Sequence, residues 1–324
     1  MRTLDDICSP ISEELEIFNR LYKKSLKSDI TLISTIVDYI LKQRSKRIRP
    51  ILVLLTSKLC GKPNDNTYTS AVLVEMLHTA TLIHDDIVDE SDTRRGMPSI
   101  NAIWENKTSV LMGDWLFSRA LSCMLSLNNF DMLKILARTA EYLSEGEIRQ
   151  IEATTDYHVN QGIYFQMIFS KTASLIAASC QLGAMSVGAS QSEANALYEY
   201  GKNLGIAFQL KDDILDFIGD VKEMGKPIHA DLKLNTMTLP LIYTINNAYD
   251  IERKRIIDML NSGGKVKNFS DIIDIIKAKG GIEYTENKID EFSKKATDSL
   301  SIFPESEIKS KLIDFIWFNK ERRR

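Results

Sequence analysis

Apolar side chains return every three or four positions along most of the chain, as at Ile30, Ile33, Val37, Ile40 and Leu41, or at Leu197, Tyr200, Leu204 and Phe208. That is the α-helical period, because side chains three and four apart share one helix face. Alternating stretches bounded by turn residues are almost absent, so the pattern predicts an all-α helical bundle rather than an α/β fold. Breaks fall at CGKPNDN (Cys60 to Asn66), GDVKEMGKPIHADLKLN (Gly219 to Asn235), NSGGKVKN (Asn261 to Asn268) and KGG (Lys279 to Gly281), where turn-forming residues cluster. None is a long linker and no repeat of solenoid period occurs, so residues 1–324 read as a single domain. The C-terminal third is richer in Lys, Asp and Glu and predicts more solvated helices.

One stretch, TASLIAASCQLGAMSVGASQS from Thr172 to Ser192, carries no charge. Its side chains are mostly small, with Gln181 and several Ser among them. This points to a buried helix packed closely on its neighbours rather than a transmembrane span.

Composition narrows the picture further. With 44% hydrophobic residues, 7 Pro and 15 Gly in 324 residues, the chain can bury a substantial core. A net charge of -3 gives no general reason to expect nucleic acid, although KERRR, Lys320 to Arg324, is a local basic cluster. Cys8, Cys60, Cys123 and Cys180 lack disulfide-frame or zinc-site spacing and read as buried thiols in a reducing compartment. MRTLDDICSP is too acidic and too poor in apolar residues for a signal peptide, which points to the cytoplasm.

Chemistry concentrates in two acidic stretches. In LIHDDIVDESDTRRG, Leu82 to Gly96, Asp85 and Asp89 lie one helical turn apart with Asp86 beside them. By itself this is either a solvated helix end or a site for a hard cation such as Mg²⁺. FQLKDDILDFIGD, Phe208 to Asp220, repeats the spacing at Asp212, Asp213 and Asp216, again after an apolar helical run. Two such turns facing each other across a bundle could hold Mg²⁺ ions bridged by a diphosphate, which implies a diphosphate ester as substrate. KRIRP (Lys46 to Pro50) and TRRG (Thr93 to Gly96) put cations beside helix boundaries, where they could grip phosphate oxygens or serve as ordinary surface charge. Lys171 opens the charge-free segment, and His78 lies two turns before Asp85 on nearly the same face. An HD phosphohydrolase site would need further upstream histidines, and no GxSxG elbow or Cys–His pairing supports a nucleophile.

These residues resemble those of the trans-isoprenyl diphosphate synthases, or polyprenyl synthetases. The resemblance covers almost the whole chain, through KRIRP, VEMLHTATLIHDDIVDESDTRRG (Val74 to Gly96), GDWLFSRA (Gly113 to Ala120), EGEIRQ (Glu145 to Gln150), KTASL (Lys171 to Leu175), FQLKDDILD and GKP (Gly225 to Pro227). It implies a bundle of the isoprenoid synthase type with a central cavity, usually homodimeric, condensing isopentenyl diphosphate with an allylic diphosphate such as farnesyl or geranylgeranyl diphosphate. By the same resemblance Asp85, Asp86 and Asp89 on one wall, and Asp212, Asp213 and Asp216 on the other, would serve as Mg²⁺ ligands or support them. Arg94, Lys171, Thr172, Gln209 and Lys226 would hold the allylic diphosphate or the developing cation, and Lys46, Arg49, His78 and Arg95 the isopentenyl diphosphate.

Ala80 and Thr81, just before the first acidic turn, are small, and in this family such residues resemble those of long-chain synthases. The expected product is therefore an octaprenyl-like all-trans diphosphate for quinone side chains, handed on to the membrane. Three places depart from the family pattern: Arg44-Ser45 where Gly-Gly or Lys-Gly is usual, His229 for Gly, and Asn235-Thr236 for Gly-Lys, with Lys233 nearby. Alternatives are a short-chain farnesyl or geranylgeranyl synthase and a non-catalytic subunit of a heteromeric synthase, though the latter is expected to have lost acidic ligands. A class I terpene cyclase usually carries an Asn/Ser/Glu triad at the second motif, which this chain lacks.

Overall fold

Capping and burial together turn the periodic pattern into helices. The computed structural model describes residues 3–43, 45–156, 160–218, 236–261 and 270–322, and their order is α1 Leu4–Cys8, α2 Ser12–Ser25, α3 Thr31–Lys42, α4 Ile48–Cys60, α5 Asp65–Val88, α6 Ile100–Ser126, α7 Phe130–Asp156, α8 Gln161–Ile168, α9 Ser174–Ser186, α10 Gln191–Ile218, α11 Leu239–Asn246, α12 Asp250–Asn261, α13 Ser270–Ala278, α14 Gly281–Ser299 and α15 Glu307–Glu321. Asn64 opens α5 with a reciprocal cap: its side chain accepts from the Asn66 and Thr67 amides while the Thr67 hydroxyl accepts from its own. The last helix, α15, starts on Ser306, whose hydroxyl accepts from the Lys309 amide. Leu197, Tyr200 and Leu204 are fully buried as their spacing predicts, whereas Ile30 is exposed because it caps α3 from outside rather than joining its buried face.

The central helices are α4, α5, α9 and α10. Here α5 packs between α6 and α4, α9 packs on α4, α5 and α10, and α10 also lies along α14. Apolar side chains of α4, α5, α6 and α9 form one cluster, and those of α8, α11, α13 and the second half of α10 form another; α10 runs through both. The charge-free segment is buried inside the bundle as α9. Its Gly183 explains why small residues are needed: a Cβ there would stand 2.4 Å from the Val53 carbonyl oxygen of α4. Among the described residues no helix is long and apolar enough to cross a membrane. Of the four cysteines, which form no disulfide, only Cys180 is fully buried, and the other three are half-buried near helix ends or faces.

Among the described residues strands are nearly absent, as expected. One two-residue hairpin pairs Thr93 with Pro98 and Arg94 with Met97. Its turn residues Arg95 and Gly96 both have positive φ, 54° and 76°, the tight mirror-image turn that suits hairpins. A helical period could not reveal it, since TRRG is too short to show alternation. The predicted breaks at Cys60–Asn66 and Lys279–Gly281 fall between helices, the latter around Gly280 at φ 77°. Those at Gly219–Asn235 and within Asn261–Asn268 lie outside the described residues, as do Lys226, His229, Lys233 and Arg44.

Candidate active site

The first acidic motif closes α5. Its final turn carries Asp85 and Asp89 on one side and Asp86 on the other, and Asp89 is the C-cap. Carboxylates at a helix C-terminus meet the negative end of the helix dipole and gain no help from it. Asp85 is pushed up to about 7, first by burial and then by Glu147 and Asp89, with Lys171 opposing. Positive charge nearby favours its ionised form.

Lys171 supplies part of it. Its ammonium donates to Glu147 at 2.8 Å and to the Gln150 amide oxygen at 3.0 Å. Burial pulls its pKa down, but Glu147, Asp85 and Asp89 outweigh that and raise it. Lys171 and Thr172 sit in a five-residue π-helical turn, Phe169–Ala173, between α8 and α9. Such turns insert an extra residue into a helix and re-aim its side chains. Two glycines let neighbours close on it: a Cβ on Gly146 of α7 would lie 2.8 Å from the Lys171 amide nitrogen, and one on Gly205 of α10 2.6 Å from the Ala173 Cα.

The second acidic motif lies on α10, opposite. Asp213 is buried and both of its oxygens are engaged, one by the Tyr164 phenol and the other by the Gln209 amide at 3.0 Å. Burial pushes its pKa up to about 6, against those donors and a hydrogen bond from the Leu239 backbone. Thr172 donates to Gln209 at 2.8 Å, which ties the π turn to α10. Asp212 accepts from Arg322 at 2.6 Å, and the same guanidinium lies 3.8 Å from the centre of the Phe208 ring. Arg322 belongs to the basic cluster KERRR, so a feature the sequence shows as local surface charge reaches the second motif. Asp216 is buried beside it on the same helix.

Between the two motifs lies a cavity of about 140 Å³ lined by Asp89, Gln150, Lys171, Thr172, Gln209 and Thr238, among others. The structure thus brings together Lys171, Thr172 and Gln209, as the resemblance implied. Glu147, Gln150, Tyr164 and Thr238 were not given roles from sequence. Glu147 and Gln150 stand in the motif EGEIRQ, so a signal existed; Tyr164 and Thr238 had none. Among the described residues the Thr238 hydroxyl is buried without a hydrogen-bond partner, which is costly unless a ligand or water supplies one.

The cations expected to hold the second substrate gather around a different group. Glu75, buried in α5 and 4% exposed, faces Arg49, Arg95 and Arg47 and accepts from the Ser45 hydroxyl at 3.3 Å. Its pKa is raised because burial outweighs those cations. Arg49 is pushed down to about 10, first by burial, and its Nε has no hydrogen-bond partner. His78 is held far below its ordinary range by burial and by Arg49, Arg95 and Arg94, so it is neutral. Lys46 is exposed, 6.0 Å over the Phe318 ring of α15.

Two expectations meet a different arrangement. Asp86, read as a metal ligand, and Arg94, read as an allylic diphosphate contact, bind each other: both Nε and Nη2 of Arg94 reach Asp86 Oδ1 at 2.6 Å. The reason is helix geometry, since position 86 is turned about 100° from 85, toward the hairpin. Asp213, which also lines the cavity, has its carboxylate engaged by the Tyr164 phenol and the Gln209 amide. Among the described residues, no three His, Cys, Asp or Glu side chains are grouped so as to hold a metal ion by themselves.

A helical bundle with two acidic turns, a lysine on a π turn and an arginine cluster defines a class that comparison with known proteins identifies. Residues 30–276 match the polyprenyl synthetase family, and the chain belongs to it; it is a prenyltransferase. It is 34% identical to an octaprenyl diphosphate synthase of Haemophilus influenzae over 99% of this chain and 98% of that protein. Among solved structures it is similar to a decaprenyl diphosphate synthase from Rhodobacter capsulatus, with a TM-score of 0.93 and 32% identity over 99% of this chain and 100% of that one. A polyprenyl synthase from Caulobacter crescentus, complexed with calcium and isoprenyl diphosphate, gives a TM-score of 0.91 at 32% identity, covering 99% and 98% of the two chains.

Proposed function

We propose that this enzyme condenses isopentenyl diphosphate with an allylic diphosphate, farnesyl or geranylgeranyl, to make a long-chain all-trans polyprenyl diphosphate for quinone side chains. The observation that carries the reading is a pair of charged regions along α5: Asp89 beside Lys171 at the cavity with Asp85 one turn before it, and Glu75 facing Arg49 and Arg95, which also act on His78 one turn further on. An enzyme that joins two diphosphates needs two anion sites at one apolar helix. The long-chain product is favoured by the octaprenyl and decaprenyl relatives and by the small Ala80, buried under the acidic turn.

Mg²⁺ fits the residues present. The hard carboxylate oxygens of Asp85 and Asp89 suit that ion, and Asp216 and Asp212 would face it from α10, Asp212 exchanging its contact with Arg322 for the cation. The rest of its coordination would come from water and substrate phosphate, which Mg²⁺ commonly retains. A cation held there would supply charge that neutralises the departing diphosphate, which would lower the barrier to C–O ionisation. Lys171 adds a donor on the same side of the cavity, Thr172 and Gln209 present dipoles to the electron-poor allyl group, and Lys226 would add a cation near the diphosphate. Arg49, His78 and Arg95 hold the second substrate, with Lys46 at the rim. The apolar bundle keeps water from quenching the allylic cation.

The enzyme works in the cytoplasm as a homodimer. On α6 the side chains of Val110, Leu111, Phe117, Leu121 and Leu125 are 36–72% exposed, an apolar face suited to a second copy. Light scattering should give twice the chain mass. The activity is tested by incubating the purified protein with Mg²⁺, isopentenyl diphosphate and farnesyl diphosphate. Absence of elongation refutes the synthase reading, and products that stop at geranylgeranyl refute the long-chain one.

A further inference from the structure

We propose that Tyr164 is a positioning residue for prenyl transfer: its phenol fixes the Asp213 carboxylate, which orients the Gln209 amide and through it the Thr172 hydroxyl at the cavity. The inference rests on the synthase reading above. The hydrogen bonds run in one direction only. Tyr164 donates to Asp213 Oδ2, Gln209 Nε2 donates to Asp213 Oδ1 at 3.0 Å, and Thr172 donates to Gln209 Oε1 at 2.8 Å. A carboxylate only accepts, so it selects which end of the Gln209 amide faces it. The other end, the amide oxygen, must then receive the Thr172 proton. Among the described residues this polarity leaves no donor to the lone pairs of the Thr172 hydroxyl, and both residues line the cavity with Lys171 and Asp89.

Three separate elements meet at this one carboxylate: Tyr164 from α8, Gln209 from α10 and the Leu239 backbone at the start of α11, while the π turn joins them through Thr172 and Gln209. Tyr164 is 3% exposed and Asp213 2%, so water cannot replace a missing donor easily. The ring of Tyr164 is held independently of its hydroxyl, edge-on to Phe165 at 5.5 Å and within the second apolar cluster. Loss of the hydroxyl therefore frees the Asp213 carboxylate and the amide it orients while the ring stays in place. An amide free to rotate can present its N–H toward an allyl group that gains positive charge, which opposes the reaction.

The test compares purified wild type, Tyr164→Phe, Thr172→Val and the double variant under saturating Mg²⁺, measuring kcat, both KM values and thermal unfolding. Tyr164→Phe is expected to lower kcat by about tenfold to a hundredfold, the scale on which small misplacements act, while KM for isopentenyl diphosphate stays within about twofold because its anion site is untouched. The double variant is expected to be no slower than Thr172→Val alone, since both changes break one chain of contacts. A kcat within about twofold of wild type, or losses that multiply in the double variant, overturns the inference. Failure of Tyr164→Phe to fold also overturns it, assigning the phenol to stability instead. Wild-type protein that elongates nothing refutes the synthase reading itself, a result separable from all of these.

Discussion

Replacing Arg94 by Met isolates what its contact with Asp86 contributes. The two side chains are 16% and 5% exposed, and both guanidinium donors converge on one carboxylate oxygen at 2.6 Å. Removing the cation leaves Asp86 charged and buried at the end of α5. Attraction between unit charges about 4 Å apart is about 4 kcal/mol at an effective dielectric near 20, and breaking such buried pairs from one side costs about 3–5 kcal/mol. In a chain of this length that corresponds to a fall of roughly 6–10 °C in melting temperature, at about 2 °C per kcal/mol. The assay is thermal and urea unfolding of wild type, Arg94→Met, Asp86→Asn and the double variant, without substrate. The double variant should return to within about 1 kcal/mol of wild type, because two neutral partners leave no buried charge. A loss below about 1 kcal/mol in Arg94→Met would show that solvent screens the pair, as it does at open surfaces. The reasoning that assigns Asp86 to the hairpin rather than to a cation would then fail.

Thr238→Val removes a buried hydroxyl that has no hydrogen-bond partner among the described residues, so unfolding should show unchanged or higher stability, by up to about 1–3 kcal/mol, while KM for the allylic diphosphate rises; a clear loss of stability would mean that the hydroxyl serves the fold. His78 stays neutral in the folded chain, whereas the unfolded chain takes up a proton below its ordinary value of 6.5. Stability should therefore fall as pH drops below 6.5 and be unaffected by this group above it; His78→Gln should flatten that acid limb in pH-dependent urea titrations, and an unchanged limb would refute the assignment. Ala80→Phe places a ring one turn below Asp85 and should shorten the product as read by chromatography of the dephosphorylated alcohols, with an unaltered chain length counting against a floor at that position. Removing divalent cations with EDTA should abolish elongation, and Mg²⁺ should restore it; activity that persists in EDTA would refute the metal reading.

Periodicity alone determined the helical class, because the three-and-four spacing of apolar residues survives in any packing that buries one helix face. The charge-free segment also announced its burial, since small neutral side chains suit close helix contact, as Gly183 against α4 shows. The acidic stretches and Lys171 were legible because their residue types are costly in apolar helices unless they serve a site. What each aspartate does was not legible. Asp85 and Asp86 are neighbours in sequence, yet one lies near Lys171 and the other binds Arg94, and that division depends on where the hairpin folds back. The hairpin itself rests on positive φ at Arg95 and Gly96, a backbone property that no side-chain pattern displays. Tyr164, Thr238 and Arg322 join the site from α8, the start of α11 and the end of α15. Local sequence fixes which helices form, through propensity and one-sided burial; only tertiary packing decides which polar side chains from distant helices share a buried pocket and must satisfy one another there.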